Sequence, residues 1–453
     1  MTSKQHTLIA FLLISALLSF FRIDLPGMTN GEEDFSLHWG ILSIFGTTPF
    51  TADSWGAFAD QAPYLSLGKS PFVNPPLPMW AMVAWTQITS QTLPNTRILS
   101  AMLAMIAVFS MFFIAKRFLK ADHALFAPGF LAGSLLWNDA ARHATPEIWG
   151  ITFFLMSMAF LLSIIFQKQK KISSLILMSI GLCISTMILM ISSFTGVALF
   201  ILLMIPILFF FNAQKFKFHF ASLSIILGLI GGYSWYHIMD FPYFSQILDS
   251  ILLAKYIPAG LDFNTLIIDF ALFPFFASGL IIGIKRLRST PFDQSKSFLF
   301  LLIWFIISYV LFGFSAMIIP PFALIGLNGL LAANVFIQSH KIRWTLIAYA
   351  LLLSCFGIAP RLIEAMSNGI FQQEWSAIGI IPLILLIGIP FSSMFMGKET
   401  LAKLTYSAMS RALITLVIAA LIKVAFANLL GKTRIEPNQL VRIHERLHHS
   451  NHV

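Results

Sequence analysis

Acidic residues are scarce in this chain, and three of them stand together: Glu32, Glu33 and Asp34. Adjacent acids repel one another, which favours a bound metal, a cationic partner or a raised pKa, and one carboxylate of such a run can act as a general base. The blander alternative is a solvated patch of surface charge. A second group is Arg142-His143-Ala144-Thr145-Pro146-Glu147. Thr145-Pro146-Glu147 reads as a helix start, with Thr at the cap, Pro in the first position and an acid in the first turn. Capping alone explains Glu147; a carboxylate at a helix mouth beside Arg142 and His143 also suits a polar site, and both readings stand. A third stretch is Asn74-Pro75-Pro76-Leu77 with Trp80. The prolines fix the backbone at a turn into a helix, and Asn74 can donate and accept hydrogen bonds there. A fourth is Tyr233, Trp235, Tyr236, His237 and Asp240. The aromatic residues suit anchoring at a membrane surface, while His237 and Asp240 are candidates for a pocket. Lys255, Tyr256 and Arg361 are further groups that suit a phosphate.

These residues have to be positioned by apolar elements. Of 453 residues, 58% are hydrophobic and only 11% charged, with 46 Phe, and mean hydropathy is +0.83. A soluble domain carries about 25% charged residues, so lipid must replace water over much of this surface. The fold class is therefore all-α membrane protein. The net charge of +10 reads as basic residues retained on the cytoplasmic side, and no polar segment is long enough to bind nucleic acid. Cys183 and Cys355 sit in apolar runs and read as small buried residues. The tail ends in His448, His449 and His452, which reads as solvated. No metal ligand set is assigned: a divalent metal is compatible with the acidic run, but no histidine cluster calls for one. No Walker or Rossmann glycine pattern is present, so no nucleotide site is expected.

At about 20 apolar residues per crossing, roughly thirteen spans are expected. They fall near 7–21, 98–115, 123–138, 146–166, 172–191, 194–212, 218–238, 263–284, 297–315, 317–337, 342–359, 374–395 and 408–430. The first is read as an uncleaved helix. Residues 72–90 are also apolar, and charge position decides their status. If they do not cross, the clusters Lys116/Arg117/Lys120, Lys168/Lys170/Lys171, Lys215/Lys217, Lys285/Arg286/Arg288, Lys341/Arg343 and Lys398/Lys403 all share a side with Lys4. That arrangement satisfies the positive-inside rule, leaving 72–90 as an interfacial helix. It places the N-terminus in the cytoplasm, the C-terminus outside, and a long outer loop at 22–97.

In this order the segments resemble a family: the polytopic membrane glycosyltransferases that use lipid-linked sugar donors, among them protein mannosyltransferases and the lipid A aminoarabinose transferase. Glu32-Glu33 stands where the family has Asp-Glu. Asn74-Pro75-Pro76-Leu77 with Trp80 matches its Lys-Pro-Pro-Leu motif apart from the lysine, and Arg97-Ile98-Leu99-Ser100 resembles its Arg-Leu opening to the next span. Arg142 with Thr145-Pro146-Glu147 and Phe153-Phe154 looks like its second outer loop, with Glu for Asp. Ile319-Pro320-Pro321-Phe322-Ala323-Leu324 resembles its late proline-rich motif. The chain also departs from the pattern. Phe194-Thr195-Gly196 replaces a Lys-Gly, and Ala316-Met317-Ile318-Ile319 occupies the stretch where the family carries Lys and Tyr.

The resemblance implies a GT-C-like bundle over 1–340, with extra C-terminal helices over 341–430 and a polar tail at 431–453. It implies a bacterial inner-membrane protein that moves a sugar from a polyprenyl-phosphate donor to a membrane-associated acceptor. Glu32, Glu33 and Glu147 would be the catalytic candidates. Asp34, Asn74, Arg142, His143, His237, Lys255 and Arg361 would be the substrate-binding ones. Two alternatives stay open: a catalytically silent relative acting as a membrane-protein partner or lipid binder, and a lipid-linked sugar transporter. The topology makes one prediction. A reporter fused after Val453 is expected outside the cytoplasm, and cytoplasmic activity of that fusion would overturn the assignment.

Overall fold

The computed structural model describes residues 77–89, 93–119, 124–132, 134–167, 172–211, 215–238, 273–289, 291–312 and 316–336, with isolated helical positions between 12 and 20. Every described element is helical. They are α1 (Leu77–Ile88), α2 (Leu93–Phe118), α3 (Ala127–Ala132), α4 (Leu135–Arg142), α5 (Glu147–Ile165), α6 (Ile172–Ser192), α7 (Phe194–Phe210), α8 (Lys215–Ile238), α9 (Phe273–Ser289), α10 (Phe292–Phe312) and α11 (Ile319–Phe336). Among the described residues, five helices are long and apolar enough to cross a membrane: Pro94–Phe118, Glu147–Ile165, Ile172–Ser192, Lys217–Trp235 and Ser295–Phe312. The expected crossings at 342–359, 374–395 and 408–430, and most of 7–21, lie outside the described residues. Helix α1 has 12 residues, about 18 Å at 1.5 Å per residue, too short for a hydrocarbon core of about 30 Å.

The described helices fall into two units. One contains α1, α2 up to Ser110, and α5 to α8. Helix α5 is its axis: apolar all round, it is buried along nearly its whole length, the expected state of a helix with no polar face. Helix α6 packs on both α5 and α8. Its outward stripe of Ile172, Ile176, Ile180 and Ile184 is exposed at four-residue spacing, as a lipid-facing surface would be. Its inward side carries small polar residues. Ser157 Oγ of α5 donates to Ser185 Oγ of α6 at 3.0 Å, and Ser185 donates in turn to the Leu182 carbonyl at 3.1 Å. Such bonds between helices in lipid contribute about 1 kcal/mol each. Gly228 lets α8 approach closely, since a Cβ there would lie 2.6 Å from the Cys183 carbonyl oxygen. Cys183 itself is half-buried, less enclosed than its apolar surroundings implied; Cys355 lies outside the described residues.

The break between α6 and α7 is built by Ser193. Its backbone is extended and its Oγ accepts from the Gly196 N–H at 3.0 Å, a standard N-cap. A Cβ at Gly196 would lie 2.9 Å from Leu189 Cδ1, so the glycine of Phe194-Thr195-Gly196 serves packing at the cap.

The other unit holds the end of α2, α3 and α9 to α11. Aromatic stacking ties it together: Phe276 of α9 lies 4.3 Å from Phe322 of α11 at 12° and 4.8 Å from Phe305 of α10. Phe322 belongs to the proline-rich motif. Pro320 and Pro321 sit in the first turn of α11, where missing amide protons cost nothing. A single 3-10 turn, Ala316–Ile318, leads into it. All of Ala316, Met317, Ile318 and Ile319 are buried.

One expected span is different in detail. Instead of one helix over 123–138, the chain forms the fully buried six-residue α3 and then α4. Ser134 marks the break: its Oγ accepts from the Trp137 N–H at 3.2 Å. Restarting the helix there carries it on to Arg142, so residues 139–142, expected in a loop, form its last turn. Gly228→Ala is predicted to destabilise the protein by about 1–3 kcal/mol through overpacking against α6, read as a lowered melting temperature in detergent. An unchanged melt would contradict the close packing of α6 and α8.

Candidate functional site

A buried cation in an apolar protein is costly, so its position is informative. Arg97, in the second turn of α2, is 0% exposed, and Arg142, in the last turn of α4, is 4% exposed. His143, next in the chain, is 7% exposed. Arg142 at a helix C-terminus meets the negative end of the helix dipole. The chain then turns tightly, with the Thr145 N–H donating to the His143 carbonyl at 3.0 Å.

This turn corrects the expected cap. Helix α5 begins at Glu147, behind a Pro146 that already has helical dihedral angles, and no side chain caps it. Thr145 Oγ1 is buried without a hydrogen-bond partner, so it caps no N–H of the helix. The Pro146 carbonyl accepts from the Trp149 N–H at 3.2 Å. Glu147 is in the first turn as expected, and it is exposed.

Helices α2 and α5 touch in register. Thr152 Oγ1 donates to the Leu103 carbonyl at 3.1 Å, both groups being buried. Each helix has its basic cluster at or just after its C-terminal end, Lys116 and Arg117 for α2 and Lys168, Lys170 and Lys171 for α5, with Arg97 alone near the start of α2. On the positive-inside rule they run in the same direction. Arg97 then lies about 9 Å along α2 from Leu103, and Glu147 about 7.5 Å along α5 from Thr152, on the same side of that bond. The beginnings of the two helices therefore share a level, away from the basic ends. Helix α1 is tied to this end as well: Trp85 Nε1 donates to the Asn95 carbonyl at 2.7 Å.

Of the residues singled out in the sequence, Glu147 opens α5 at this level, and Arg142 and His143 precede it in the chain by five and four residues. His237 lies in α8, whose described neighbour Tyr233 is 52% exposed. Glu32, Glu33, Asp34, Asn74, Lys255 and Arg361 lie outside the described residues. Among the described residues no three His, Cys, Asp or Glu side chains come together as a metal site. Arg97 had been read only as part of a motif; its signal was an arginine inside an apolar run at a span's beginning.

The chain is similar in fold to a solved membrane protein. It superposes on the crystal structure of ArnT from Cupriavidus metallidurans in the apo state with a TM-score of 0.65 at 14% identity, covering 95% of this chain and 77% of that one. The same protein bound to undecaprenyl phosphate gives a TM-score of 0.66 at 14% identity, covering 97% and 78%. The fold is GT-C. Residues 73–236 also match the sequence profile of the dolichyl-phosphate-mannose-protein mannosyltransferases, and no curated protein matches the chain in a direct sequence search. Within this GT-C fold, the profile match spans α1 to α7 and most of α8, and so includes α2, α4 and α5, which carry Arg97, Arg142 and Glu147.

The register between α2 and α5 is directly testable. Thr152→Val keeps the shape and removes the hydroxyl, leaving the carbonyl of Leu103 without that bond, and is predicted to cost about 1 kcal/mol. A lower melting temperature in detergent is expected; an unchanged one would contradict the hydrogen bond.

Proposed function

We propose that the protein is a membrane glycosyltransferase that moves a sugar from a polyprenyl-phosphate donor to a membrane-associated acceptor on the extracytoplasmic face. The observation that carries this reading is the burial of Arg97 near the start of α2 and of Arg142 at the end of α4, five residues before α5 begins, in a GT-C fold. Arginine presents a planar fork of donors that suits a phosphate, and it stays charged in an apolar setting. With Asn74 standing where the family has a lysine, the phosphate relies here on these two arginines.

In the reaction, a carboxylate of Glu32 or Glu33, within about 3 Å, takes the proton of an acceptor hydroxyl. The freed oxygen pair attacks the anomeric carbon, and the bond from that carbon to the phosphate oxygen breaks. Polyprenyl phosphate leaves with the electron pair, its charge held by the arginines. Attack from the side opposite the leaving phosphate inverts the anomeric centre. Glu147, exposed beside this level, and Asp34 can orient the sugar hydroxyls. His143, His237, Lys255 and Arg361 remain candidates for the acceptor and phosphate. The module is assigned to 1–340, with 341–430 as added helices, in a bacterial inner membrane with a cytoplasmic N-terminus.

One observation favours a second reading. Ala316 to Ile319 are buried and apolar where the family carries Lys and Tyr, as in a fold that has ceased to catalyse and serves as a partner for another membrane protein. The two readings separate in one assay. Proteoliposomes are supplied with labelled polyprenyl-phosphate sugars, and wild type is compared with Glu32→Gln, Glu33→Gln and Glu147→Gln. Transfer by wild type, reduced roughly 100-fold or more when the base is removed, supports the enzyme. Folded wild type that transfers no sugar from any donor, and co-purifies with another membrane protein, supports the silent partner.

A further inference from the structure

Most polar side chains inside these helices satisfy themselves on their own backbone. Ser110 donates to the Ile106 carbonyl at 2.9 Å, Thr186 to Leu182 at 2.7 Å, Ser192 to Ile188 at 2.6 Å and Ser224 to Phe220 at 2.7 Å. Three groups near one level do not. Ser100 Oγ, Thr145 Oγ1 and Trp149 Nε1 are each buried with no hydrogen-bond partner, Ser100 being 0% exposed and Trp149 6%.

The Thr152–Leu103 bond places them. Ser100 precedes Leu103 by three residues and Trp149 precedes Thr152 by three, so each lies on the helix side that carries the bond, about 4.5 Å along the axis. With α2 and α5 running the same way, both lie at the same height in the seam. Thr145 is just beyond, before Pro146. All three belong to one unit of the fold. An unmade hydrogen bond at a buried group is destabilising, and hydrocarbon offers no water to make it. Two such groups in the seam, with a third at Thr145 beside the half-buried Pro146 and two residues from the exposed Glu147, are set to receive a ligand.

We propose that this seam is a subsite for a sugar ring, with the Trp149 indole donating and the Ser100 and Thr145 hydroxyls donating and accepting. The proposal rests on reading the protein as one that takes lipid-linked sugars. The chemistry favours a sugar over a phosphate because hydroxyls that work in both directions match hydroxyls, whereas a phosphate only accepts. Trp149 also offers an aromatic face, extended by Phe153 with ring centroids 6.2 Å apart, against which the apolar C–H face of a sugar ring can lie.

The test measures equilibrium binding of the full-length protein in nanodiscs to undecaprenyl phosphate, bare and carrying mannose, glucose or aminoarabinose. Wild type should bind at least one sugar-bearing lipid more tightly than the bare one. Trp149→Phe, which removes the N–H and keeps an aromatic ring, should keep the affinity for the bare lipid and lose roughly three- to tenfold of the sugar-dependent part, as for one neutral hydrogen bond. Ser100→Ala, the smallest change, should do the same, and it carries the test if the tryptophan variant does not fold. Without ligand, Ser100→Ala should melt no lower than wild type, since it deletes an unsatisfied group. Unchanged sugar preference in folded variants overturns the subsite while leaving the proposed function standing. Equal loss for bare and sugar-bearing lipids assigns the groups to the phosphate and also overturns it. If wild type shows no preference for any sugar-bearing lipid, the subsite and the function reading fail together.

Discussion

In hydrocarbon a polar group has no water to fall back on, so each must be paired within the protein or held for something that arrives later. The helices around α5 show both cases. Ser157 and Ser185 spend their hydroxyls on each other and on the Leu182 carbonyl, binding α5 to α6. Thr152 spends its hydroxyl on the Leu103 carbonyl and sets the register of α2 against α5. That one bond brings the beginnings of two helices level, and with them Arg97 and Glu147. Toward the basic ends, by contrast, polar groups meet exposed or half-buried surroundings. Lys217 of α8 donates to the Gln167 carbonyl just past the end of α5, and Lys116 is exposed.

A division of labour follows for the fold. The long apolar helices are largely interchangeable as packing units, separated by exposed stripes such as Ile172–Ile184 of α6 that meet lipid. Among the described residues, the buried arginines stand near helix ends, Arg97 at the start of α2 and Arg142 at the end of α4. This explains how a chain only 14% identical to ArnT superposes on it over nearly its full length: hydrocarbon accepts many apolar sequences in the same helical path. It also explains why the residues that differ at the beginnings matter more than overall identity. Ala316–Ile319 are buried and apolar, and the arginines at 97 and 142 are buried as well.

Much of the helical layout was legible because long apolar runs bounded by basic clusters have one physical solution. The helices at 147–165, 172–192 and 194–210 fall close to their expected limits. The pair α3 and α4 was harder to see, since Gly133-Ser134 interrupts a run whose apolar content is continuous; only the cap on Trp137 reveals the restart. The Thr145 cap was misread for a related reason. Thr-Pro-acid specifies a helix start by local preference, and the helix starts there, but Thr145 Oγ1 makes no capping hydrogen bond. The candidate site was legible only in part. Charged residues announce themselves in an apolar sequence, which singled out Arg142 and Glu147. Ser100 and Trp149 give no such signal, because a serine or tryptophan in a span is ordinary until its partners are counted.

The central claim, that the level shared by the beginnings of α2 and α5 receives the polar head of a polyprenyl phosphate, is tested most directly by photo-crosslinking. A polyprenyl phosphate bearing a diazirine on the isoprene unit next to the phosphate is irradiated with the full-length protein in nanodiscs, and labelled peptides are mapped by mass spectrometry. The account predicts saturable labelling within residues 93–103 and 142–152, competed by unlabelled undecaprenyl phosphate. Labelling confined to the lipid-facing stripes of α6 and α8, and insensitive to competitor, would contradict it.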